Sequence, residues 1–540
     1  MRRWNGWGDD AIAAALPRAA VEFMRDAIGP GTAPRDATLA EVCARIDREQ
    51  GSRLARVSPL HPLVSTRAED RLSCGIGQSL GDWIRLRFGD VGRLTDGVAR
   101  PEHGGHVREL LAWAQQHDVV LIPCGGATSV AGHLLPPAGD RPCLTLDMRR
   151  MRALLELDVA SQLARFQAGV TGPDLEAQLR ARGYMLGHFP QSFDYATLGG
   201  WIATRSSGQQ SLRYGRIEQL FAGGTIETPR GTLTLPPFPA SAAGPDLREW
   251  VLGSEGRLGV ITEAVVRVSR LPEQERFVGV FMPDWEEGVA AARSLAQLRV
   301  PLSMLRLANP TETLTTLRLA GHAAQVAWLE RFLAWRGARE RKCLLMLGLT
   351  GTGRQVDTAW QQARAVLRAH RGVSTGALLG RKWAANRFAG VYIRNALWEA
   401  GYAVDTMETA VPWSATSSTL QAMETAGRQA LAACGERCHV YTHLSHVYGS
   451  GSSVYSTFVF RIGADQSSAW QRWTALKRAV SDAIVASGGT ITHQHGVGRD
   501  HAPYLRAEKG EAGMAALAAA FGHFDPQRVL ANDNLTGPPA

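Results

Sequence analysis

Three glycine-rich segments, far apart along the chain, have the residue types needed to bind phosphate oxygens. The first, residues 123–132, reads PCGGATSVAG and follows a short apolar run that predicts a buried strand. Glycines let the backbone approach a ligand, and backbone N–H groups with the hydroxyls of Thr128 and Ser129 can donate to a pyrophosphate. The segment lacks the G-x-G-x-x-G spacing and the Walker lysine, which disfavours a nicotinamide fold and a P-loop nucleotide hydrolase. Considered alone, it could also be a glycine-rich turn without a ligand.

The second and third segments make a shared ligand the better interpretation. Residues 191–208, QSFDYATLGGWIATRSSG, add small and hydroxyl side chains and a cation at Arg205. Residues 253–262, GSEGRLGVIT, predict a turn that presents the backbone of residues 258–261 at the start of a strand. Three such loops would be needed to contact an extended dinucleotide along its whole length. The candidate cofactor-binding residues are Pro123, Cys124, Gly125, Gly126, Ala127, Thr128, Ser129, Gln191, Ser192, Phe193, Asp194, Tyr195, Ala196, Thr197, Thr204, Arg205, Ser206, Ser207, Glu255, Gly256, Arg257, Leu258, Gly259, Val260 and Ile261.

Two histidines near the C-terminus are candidates for proton transfer. His493 and His495 lie two positions apart in ITHQHGVG, at a predicted strand end that would point both side chains to the same side. The ordinary pKa of histidine lies close to neutrality, which suits a group that takes up and releases protons.

The three glycine-rich segments together resemble the FAD-binding domain shared by vanillyl-alcohol oxidase and p-cresol methylhydroxylase. The similarity spans about residues 93–272 and rests on PCGGATS, TLGGW followed by TRSSG, and GSEGRLGVIT. It implies that the first loop holds the FAD pyrophosphate, the second lies beside the isoalloxazine and ribityl chain, and the third contacts the flavin through its backbone. Relatives usually have glycine where this chain has Ala127, so we expect a negative φ at that position.

Motifs outside that domain resemble the alkyldihydroxyacetonephosphate synthase family, flavoenzymes of ether-lipid synthesis. They are, in order, RRWNGWG, GHFPQSFDYATLGGW, YIRNALWEAGY, METAVPW, SHVYGSGSSVYSTFVF, ITHQHGVGRDHAPYL and FDPQRVLANDNL, and they cover essentially the whole chain. The resemblance implies that the acyl group of acyl-dihydroxyacetone phosphate is exchanged for a long-chain fatty alcohol, a use of FAD without net oxidation. It also implies a homodimer and contact with a membrane surface.

The same resemblance implies roles for three further residues. Tyr455 matches the catalytic tyrosine, Arg394 matches an arginine placed against the anionic or acyl end of the substrate, and Arg306 matches another functional arginine. A tyrosine that acts as a base needs a lowered pKa, which a nearby cation can provide. Without the resemblance, a buried tyrosine with a satisfied hydroxyl and two arginines in interdomain salt bridges would be the preferred interpretation.

Other functions stay open at this stage. An FAD-dependent oxidoreductase of the same superfamily would oxidise a 2-hydroxy acid or similar alcohol, and Gln494 favours it because relatives have a third histidine there. A flavin-free binding or lipid-interaction protein could retain the scaffold. A further set of side chains has a spacing near that of zinc ligands, but the resemblance implies no metal there and we expect none. These side chains are Cys434, Cys438, His439, His443 and His446.

The composition is that of an ordinary globular protein and excludes several classes. The chain has 540 residues, of which 45% are hydrophobic and 20% charged, enough for two or three domains. Its net charge of +9 comes from scattered arginines without a basic tract, which disfavours nucleic-acid binding. Seven widely spaced cysteines predict a reducing compartment, and we expect no leader peptide, no spanning helix and a cytoplasmic location.

The predicted fold is α+β, with a two-part FAD-binding domain of the p-cresol methylhydroxylase type and an α+β cap. We expect an N-terminal extension over residues 1–92, the FAD-binding domain over 93–272, the cap, or substrate domain, over 273–480 and a C-terminal segment over 481–540 that completes the flavin site. The regular alternation of helix and strand begins near residue 106, and Pro272 closes the FAD-binding block.

Overall fold

The computed structural model describes residues 2–12, 15–34, 36–319 and 323–536. Within these residues the helices are α1 Arg18–Ile28, α2 Leu39–Glu49, α3 Ala68–Gly75, α4 Leu80–Phe88, α5 Gly104–Gln116, α6 Gly172–Arg180, α7 Leu198–Thr204, α8 Ser211–Tyr214, α9 Ile217–Leu220, α10 Arg248–Val251, α11 Trp285–Gln297, α12 Pro310–Leu319, α13 Ala323–Trp335, α14 Gly353–Ala369, α15 Ala377–Asn386, α16 Ile393–Glu399, α17 Thr416–Ala433, α18 Gln466–Ala486 and α19 Ala502–Phe524.

In the same described ranges the strands form four sheets. They are β1 Val64–Ser65, β2 Gly97–Ala99, β3 Val120–Cys124, β4 Cys143–Asp147, β5 Leu154–Asp158, β6 Leu163–Gln167, β7 Tyr184–Met185, β8 Phe221–Thr228, β9 Gly231–Leu235, β10 Val260–Arg267, β11 Ser269–Arg270, β12 Gln274–Met282, β13 Met304–Ala308, β14 Cys343–Gly351, β15 Val373–Ser374, β16 Tyr402–Pro412, β17 His439–Leu444 and β18 Gly451–Arg461. The strand orders are β1-β2-β4-β3, β5-β6-β10-β8-β9, β11-β7 and β15-β12-β14-β13-β17-β18-β16.

The first two large sheets build the region where the glycine-rich segments were predicted. Strands β2, β4 and β3 are parallel, and α5 buries an apolar face of Val107, Leu110, Leu111 and Ala114 in the core beneath them. The five-stranded sheet is antiparallel throughout. The alternation of helix and strand predicted from about residue 106 is therefore present, as α5 followed by β3.

The seven-stranded sheet of the cap is antiparallel and is covered by helices on both faces. Alternation along β13 shows the two faces, because Leu305 and Leu307 join one core whereas Met304 and Ala308 join another. Helices α11, α14, α17 and α18 contribute to the first core, and α12, α13 and α15 to the second. This arrangement confirms the predicted α+β class and excludes a doubly wound parallel sheet.

The WNGWG opening packs against the cap helix α16. The backbone of Trp7 donates to the Asn395 side-chain oxygen at 3.1 Å and accepts from its amide nitrogen at 2.8 Å. A Cβ at Gly6 would lie 2.5 Å from the same Asn395 oxygen, so that position has no room for a side chain. The N-terminal motif thus holds the helix that carries Arg394. None of the helices in the described ranges is long and apolar enough to cross a membrane.

Candidate active site

The three glycine-rich segments converge on one central cleft. Its lining takes residues from the end of β3, from the chain around α7 and from the turn before β10. The predicted cofactor residues in the lining are Pro123, Cys124, Gly125, Gly126, Ala127, Thr128, Ser129, Ser192, Ala196, Thr197, Thr204, Ser206, Glu255, Gly256, Gly259, Val260 and Ile261. The C-terminal part of the chain closes the cleft with Gln494, His495, Asn532 and Asn534. Loops distant in sequence therefore surround one elongated site.

Close packing of the first two loops explains the paired glycines. A Cβ at Gly126 would lie 1.8 Å from the carbonyl oxygen of Tyr195, and one at Gly125 would lie 2.2 Å from the Thr197 hydroxyl oxygen. Any side chain there would force the two loops apart. A dinucleotide fits these loops, because they offer small residues, free backbone and hydroxyl donors of the kind that bind pyrophosphate.

Ala127 differs from its predicted conformation. Its φ is +51°, in the left-handed region, where we expected a negative value. This region disfavours a Cβ by about 1–2 kcal/mol. The Arg2 guanidinium donates to the Ala127 carbonyl oxygen at 3.4 Å, so the N-terminus contacts the strained turn directly.

Several predicted cofactor residues lie outside the cleft lining. They are Gln191, Phe193, Asp194, Tyr195, Arg205, Ser207, Arg257 and Leu258. Arg205 pairs with Glu249 at 3.0 Å, and the Arg257 guanidinium lies over the Phe521 ring, 5.3 Å from its centroid. Leu258 is fully buried in the core of the five-stranded sheet. A glycine motif predicts where a loop approaches a ligand, but it does not fix the direction of each neighbouring side chain.

Two buried glutamates hold the histidine loop against the cleft. The Glu255 carboxylate accepts from the backbone N–H of Val497 at 2.6 Å and of Gly498 at 2.9 Å. The Glu408 carboxylate, on β16, accepts from the N–H of Gln494 at 2.7 Å and of His495 at 2.8 Å. Because both carboxylates bind backbone donors, the loop keeps its position whichever side chains it carries.

His493 and His495 do not share a strand face as predicted, because residues 492–498 form a loop. The His493 ring contacts Tyr448, whose hydroxyl lies 2.6 Å from Nε2, and the ring of His446 at 5.0 Å. His495 lines the central cleft and meets the Tyr455 ring edge-on, with centroids 5.6 Å apart. Only His495 therefore lies both in the cleft and beside the predicted catalytic tyrosine.

Tyr455 is the middle member of a row of three residues across the cap sheet, which we call the Tyr455 row. Its register partners are His443 on β17 and Glu408 on β16, so all three project from the same face. The His443 ring stacks on the Tyr455 ring, with centroids 4.9 Å apart and planes 20° from parallel. Sequence reasoning assigned neither His443 nor Glu408 to this site, since pairing across strands leaves no local signal.

The pKa of Tyr455 is raised, not lowered as a base would require. Burial of the hydroxyl is the largest cause, and the Glu408 carboxylate adds to it, whereas a hydrogen bond with Thr406 and the charge of Arg394 act in the opposite direction. Burial lowers the pKa of His495, despite the attraction of Glu408. At neutral pH a protonated tyrosine thus lies beside a neutral imidazole, a donor next to an acceptor.

Arg394 retains a charge that no carboxylate neutralises. Its guanidinium lies over the Trp83 ring, 4.4 Å from the centroid, and donates through Nη1 to the Gln78 carbonyl oxygen at 2.9 Å. In the part of the chain that the structure describes, no acidic group lies within ion-pair distance of it. Burial lowers its pKa, while Asp405 and Tyr455 raise it. Arg394 is therefore a positioned cation without a paired carboxylate in the described residues.

In contrast to Arg394, Arg306 is paired with other side chains of the protein. It forms an ion pair with Glu312, and its Nη2 lies 3.1 Å from His443 Nδ1, which is itself 3.0 Å from the other Glu312 oxygen. Arg306 thus reaches Tyr455 only through His443. Arg306 is therefore in a salt bridge, as expected for it without the family resemblance. The bridge lies within the cap and not between domains, and it holds His443 of the Tyr455 row.

This buried ion pair predicts a pH dependence of stability. Burial alone would raise the pKa of Glu312, but Arg306 and His443 lower it from 4.5 to about 2. The stabilisation is complete above pH 4.5 and is lost as the pH falls toward 2, about 3 kcal/mol in all. We expect the urea midpoint of Glu312→Gln to depend less on pH between 5 and 3 than that of the wild type, as followed by circular dichroism.

The matched control for this prediction is Glu286→Gln. Glu286 also pairs with an arginine, Arg341 at 3.1 Å, but its side chain is 70% exposed and its pair should contribute little. Its midpoint should follow the wild-type pH dependence. Parallel curves for Glu312→Gln and the wild type would contradict the assignment.

The histidines with zinc-like spacing have separate partners. His439 Nε2 lies 2.9 Å from the Thr315 hydroxyl, and His446 Nδ1 lies 3.1 Å from the Ser207 hydroxyl. Across the described ranges, no group of three or more His, Cys, Asp or Glu side chains is arranged to hold a metal ion. All seven cysteines carry free thiols.

Comparison with known proteins agrees with this geometry. The chain matches the FAD binding domain family over residues 95–235 and the family of FAD linked oxidases, C-terminal domain, over residues 271–535. It is 32% identical to an alkyldihydroxyacetonephosphate synthase of Dictyostelium discoideum over 442 residues, which cover 81% of this chain and 72% of the relative. A solved alkyldihydroxyacetonephosphate synthase structure superimposes with a TM-score of 0.82 at 26% identity, covering 98% of both chains.

A substrate-bound p-cresol methylhydroxylase structure matches with a TM-score of 0.67 at 13% identity, over 94% of this chain and 99% of the other, and supports the fold alone. Fold, cleft and family matches together define an FAD-dependent enzyme with a p-cresol methylhydroxylase-type cofactor domain. Within that class, the chain belongs to the alkyldihydroxyacetonephosphate synthase family. The predictions of fold class, FAD and family are confirmed.

Proposed function

We propose that the protein exchanges the acyl group of acyl-dihydroxyacetone phosphate for a fatty alcohol, giving the alkyl ether. The observation that carries the proposal is the placement of the Tyr455 row, which meets the cleft fitted to FAD through His495 and lies within reach of the Arg394 charge. Bound FAD would supply the reactive ring nitrogen at which the substrate carbon is activated. The residues of the three glycine-rich loops that line the cleft would hold it.

Arg394 would bind the phosphate of the substrate. A guanidinium offers a planar set of donors that suits a phosphate, and stacking on Trp83 fixes its plane in advance. Among the described residues Arg394 donates through Nη1 alone, to the Gln78 carbonyl, so other donors remain for the ligand. The same cation lies close enough to Tyr455 to lower its pKa, which links phosphate binding to the tyrosine hydroxyl.

Tyr455 and His495 would have separate roles. Since its pKa is raised, Tyr455 stays protonated and would stabilise the departing carboxylate, which leaves as the anion, by donating a hydrogen bond to it. His495, neutral and lining the cleft, would accept the proton from the incoming alcohol. Glu408 holds the backbone of His495 and is also the cross-strand neighbour of Tyr455, so the anchor of the histidine lies beside the tyrosine.

Location and assembly form part of the same proposal. We place the protein in the cytoplasm, peripheral to a membrane, as a homodimer. We place its domain boundaries after residues 92, 272 and 480. Seven free thiols support a reducing compartment. A lipid substrate supports membrane contact.

The direct test is an exchange assay with the purified flavoprotein. Acyl-dihydroxyacetone phosphate and radiolabelled hexadecanol should give labelled alkyl-dihydroxyacetone phosphate and free fatty acid without any external electron acceptor. The rival function follows from the match to FAD linked oxidases. Anaerobic bleaching of the flavin by D-lactate or glycolate, together with no labelled ether, would replace the proposed function with 2-hydroxy acid oxidation.

A further inference from the structure

Helix α13 carries three neighbouring aromatic side chains, Trp328, Phe332 and Trp335, which we call the aromatic ridge. Trp335 is 80% exposed and Trp328 is 69% exposed, the two most exposed large hydrophobic side chains of the described residues. The Phe332 ring lies between them, stacked on Trp328 at 6.2 Å and tilted against Trp335 at 6.4 Å. The other side of the helix is already packed, with Leu333 fully buried in the core that α12 and α15 share. The two tryptophans therefore face away from the protein, whereas the Phe332 ring also packs against this core.

Arginines flank the ridge. Arg331 lies one turn from both tryptophans on the exposed side of α13, and the Arg336 guanidinium lies over the Trp335 ring, 6.0 Å from its centroid. Arg339 follows in the next exposed turn. None of the three has an ion-pair partner among the described residues. Glu330, the acidic residue of the helix, is bound to Lys342 at 3.3 Å. The surface thus combines exposed indoles with unneutralised cations.

We propose that this face of α13 is the surface by which the protein binds an anionic lipid bilayer. Tryptophan indoles partition to the headgroup level of a membrane, and arginines beside them bind anionic lipid phosphates while their stems cover apolar surface. A second copy of the chain is the less suitable occupant. Symmetric pairing would bring each basic ridge against its own copy, in a protein whose net charge is already +9.

The position of α13 connects this surface with the Tyr455 row. Helix α12 carries Glu312, which holds His443 against Tyr455, and Leu317 of α12 shares its core with Leu333 of α13. The lipid surface and the Tyr455 row therefore lie on the same face of the cap sheet. Delivery of a lipid substrate from the bilayer rests on the proposed function, whereas the binding surface itself does not.

The test is flotation of the FAD-loaded protein with two kinds of vesicle, mixed phosphatidylcholine and phosphatidylglycerol, and phosphatidylcholine alone. Wild-type protein should float with the mixed vesicles. Replacing both tryptophans, Trp328→Ser with Trp335→Ser, should weaken binding about tenfold or more. Replacing Arg331→Gln with Arg336→Gln should weaken binding to mixed vesicles about 25-fold, since each basic residue near an anionic surface contributes about fivefold, and high salt should mimic this change.

Phe238→Ser is the matched control. Phe238 is an exposed aromatic residue, at 59%, in a loop of the FAD-binding region, and its loss should leave flotation unchanged. Flavin absorbance and thermal melting show that each variant is folded. Wild-type protein that fails to float, or tryptophan variants that float as well as wild type, would overturn the proposal. So would a lipid-free dimer that dissociates in the tryptophan variant, because the ridge would then be an interface between copies. Vesicle binding without ether formation would refute the proposed function alone.

Discussion

Tyr455→Phe should lower the rate of alkyl exchange by about two to four orders of magnitude while FAD stays bound, which is the range that a positioned proton donor contributes. Only the hydroxyl is removed, so the ring can still stack on His443 and meet His495 edge-on. Tyr455 does not line the FAD cleft itself, and the flavin spectrum should therefore remain that of the wild type. The measurement is labelled ether formed per flavin under substrate saturation, across pH.

Tyr441→Phe is the control for this substitution. Tyr441 lies on the neighbouring strand β17, in register with Thr457, and burial raises its pKa as it does that of Tyr455. It has His439 as its ring neighbour, so its loss should leave exchange near the wild-type rate. Equal rates in Tyr455→Phe and wild-type protein would remove Tyr455 from the mechanism. A comparable loss of exchange rate in Tyr441→Phe would show that removing a buried tyrosine hydroxyl anywhere in this sheet lowers the rate, so that the effect is not particular to Tyr455.

The cofactor loops could be predicted from sequence because glycine and hydroxyl residues mark places where a backbone meets a ligand. The predicted residues from Pro123 to Ser129 all line the cleft. The assignment of every residue of a segment to the ligand stays a prediction. Arg257 and Leu258 follow Gly256 directly, and their side chains lie against Phe521 and in the core, so these two could contact a ligand through the backbone only. Side-chain direction depends on packing partners that the local motif does not contain.

The catalytic neighbourhood was only partly predictable for a different reason. Tyr455, Arg394 and His495 could be assigned through family motifs, whereas Glu408 and His443 become visible only once the register of three strands is known. The alternating spacing of His493 and His495 suggested a strand, but Glu408 and Glu255 hold that segment as a loop through backbone hydrogen bonds. Contacts between distant carboxylates and main-chain donors override such a short pattern.

Gly126→Ala should weaken FAD binding about a hundredfold or more, because added volume at a closed contact must move the backbone. The new methyl would lie 1.8 Å from the Tyr195 carbonyl oxygen and 2.6 Å from its carbon. These are main-chain atoms, so no rotamer change can relieve the overlap, and the first loop must separate from the second. We expect colourless or partly loaded protein, with the affinity for added FAD measured by quenching of flavin fluorescence.

Two comparisons separate this effect from loss of folding. At Gly51 an added Cβ meets no atom within 4 Å, so Gly51→Ala should bind FAD as the wild type does. Far-UV circular dichroism of Gly126→Ala should retain the helical signal of the cap, whose cores do not include the loop. Full FAD occupancy in a folded Gly126→Ala protein would show that the two loops need not touch when the cofactor is bound. The alignment of FAD with the Tyr455 row would then have to come from the third loop and the Glu255 contacts instead.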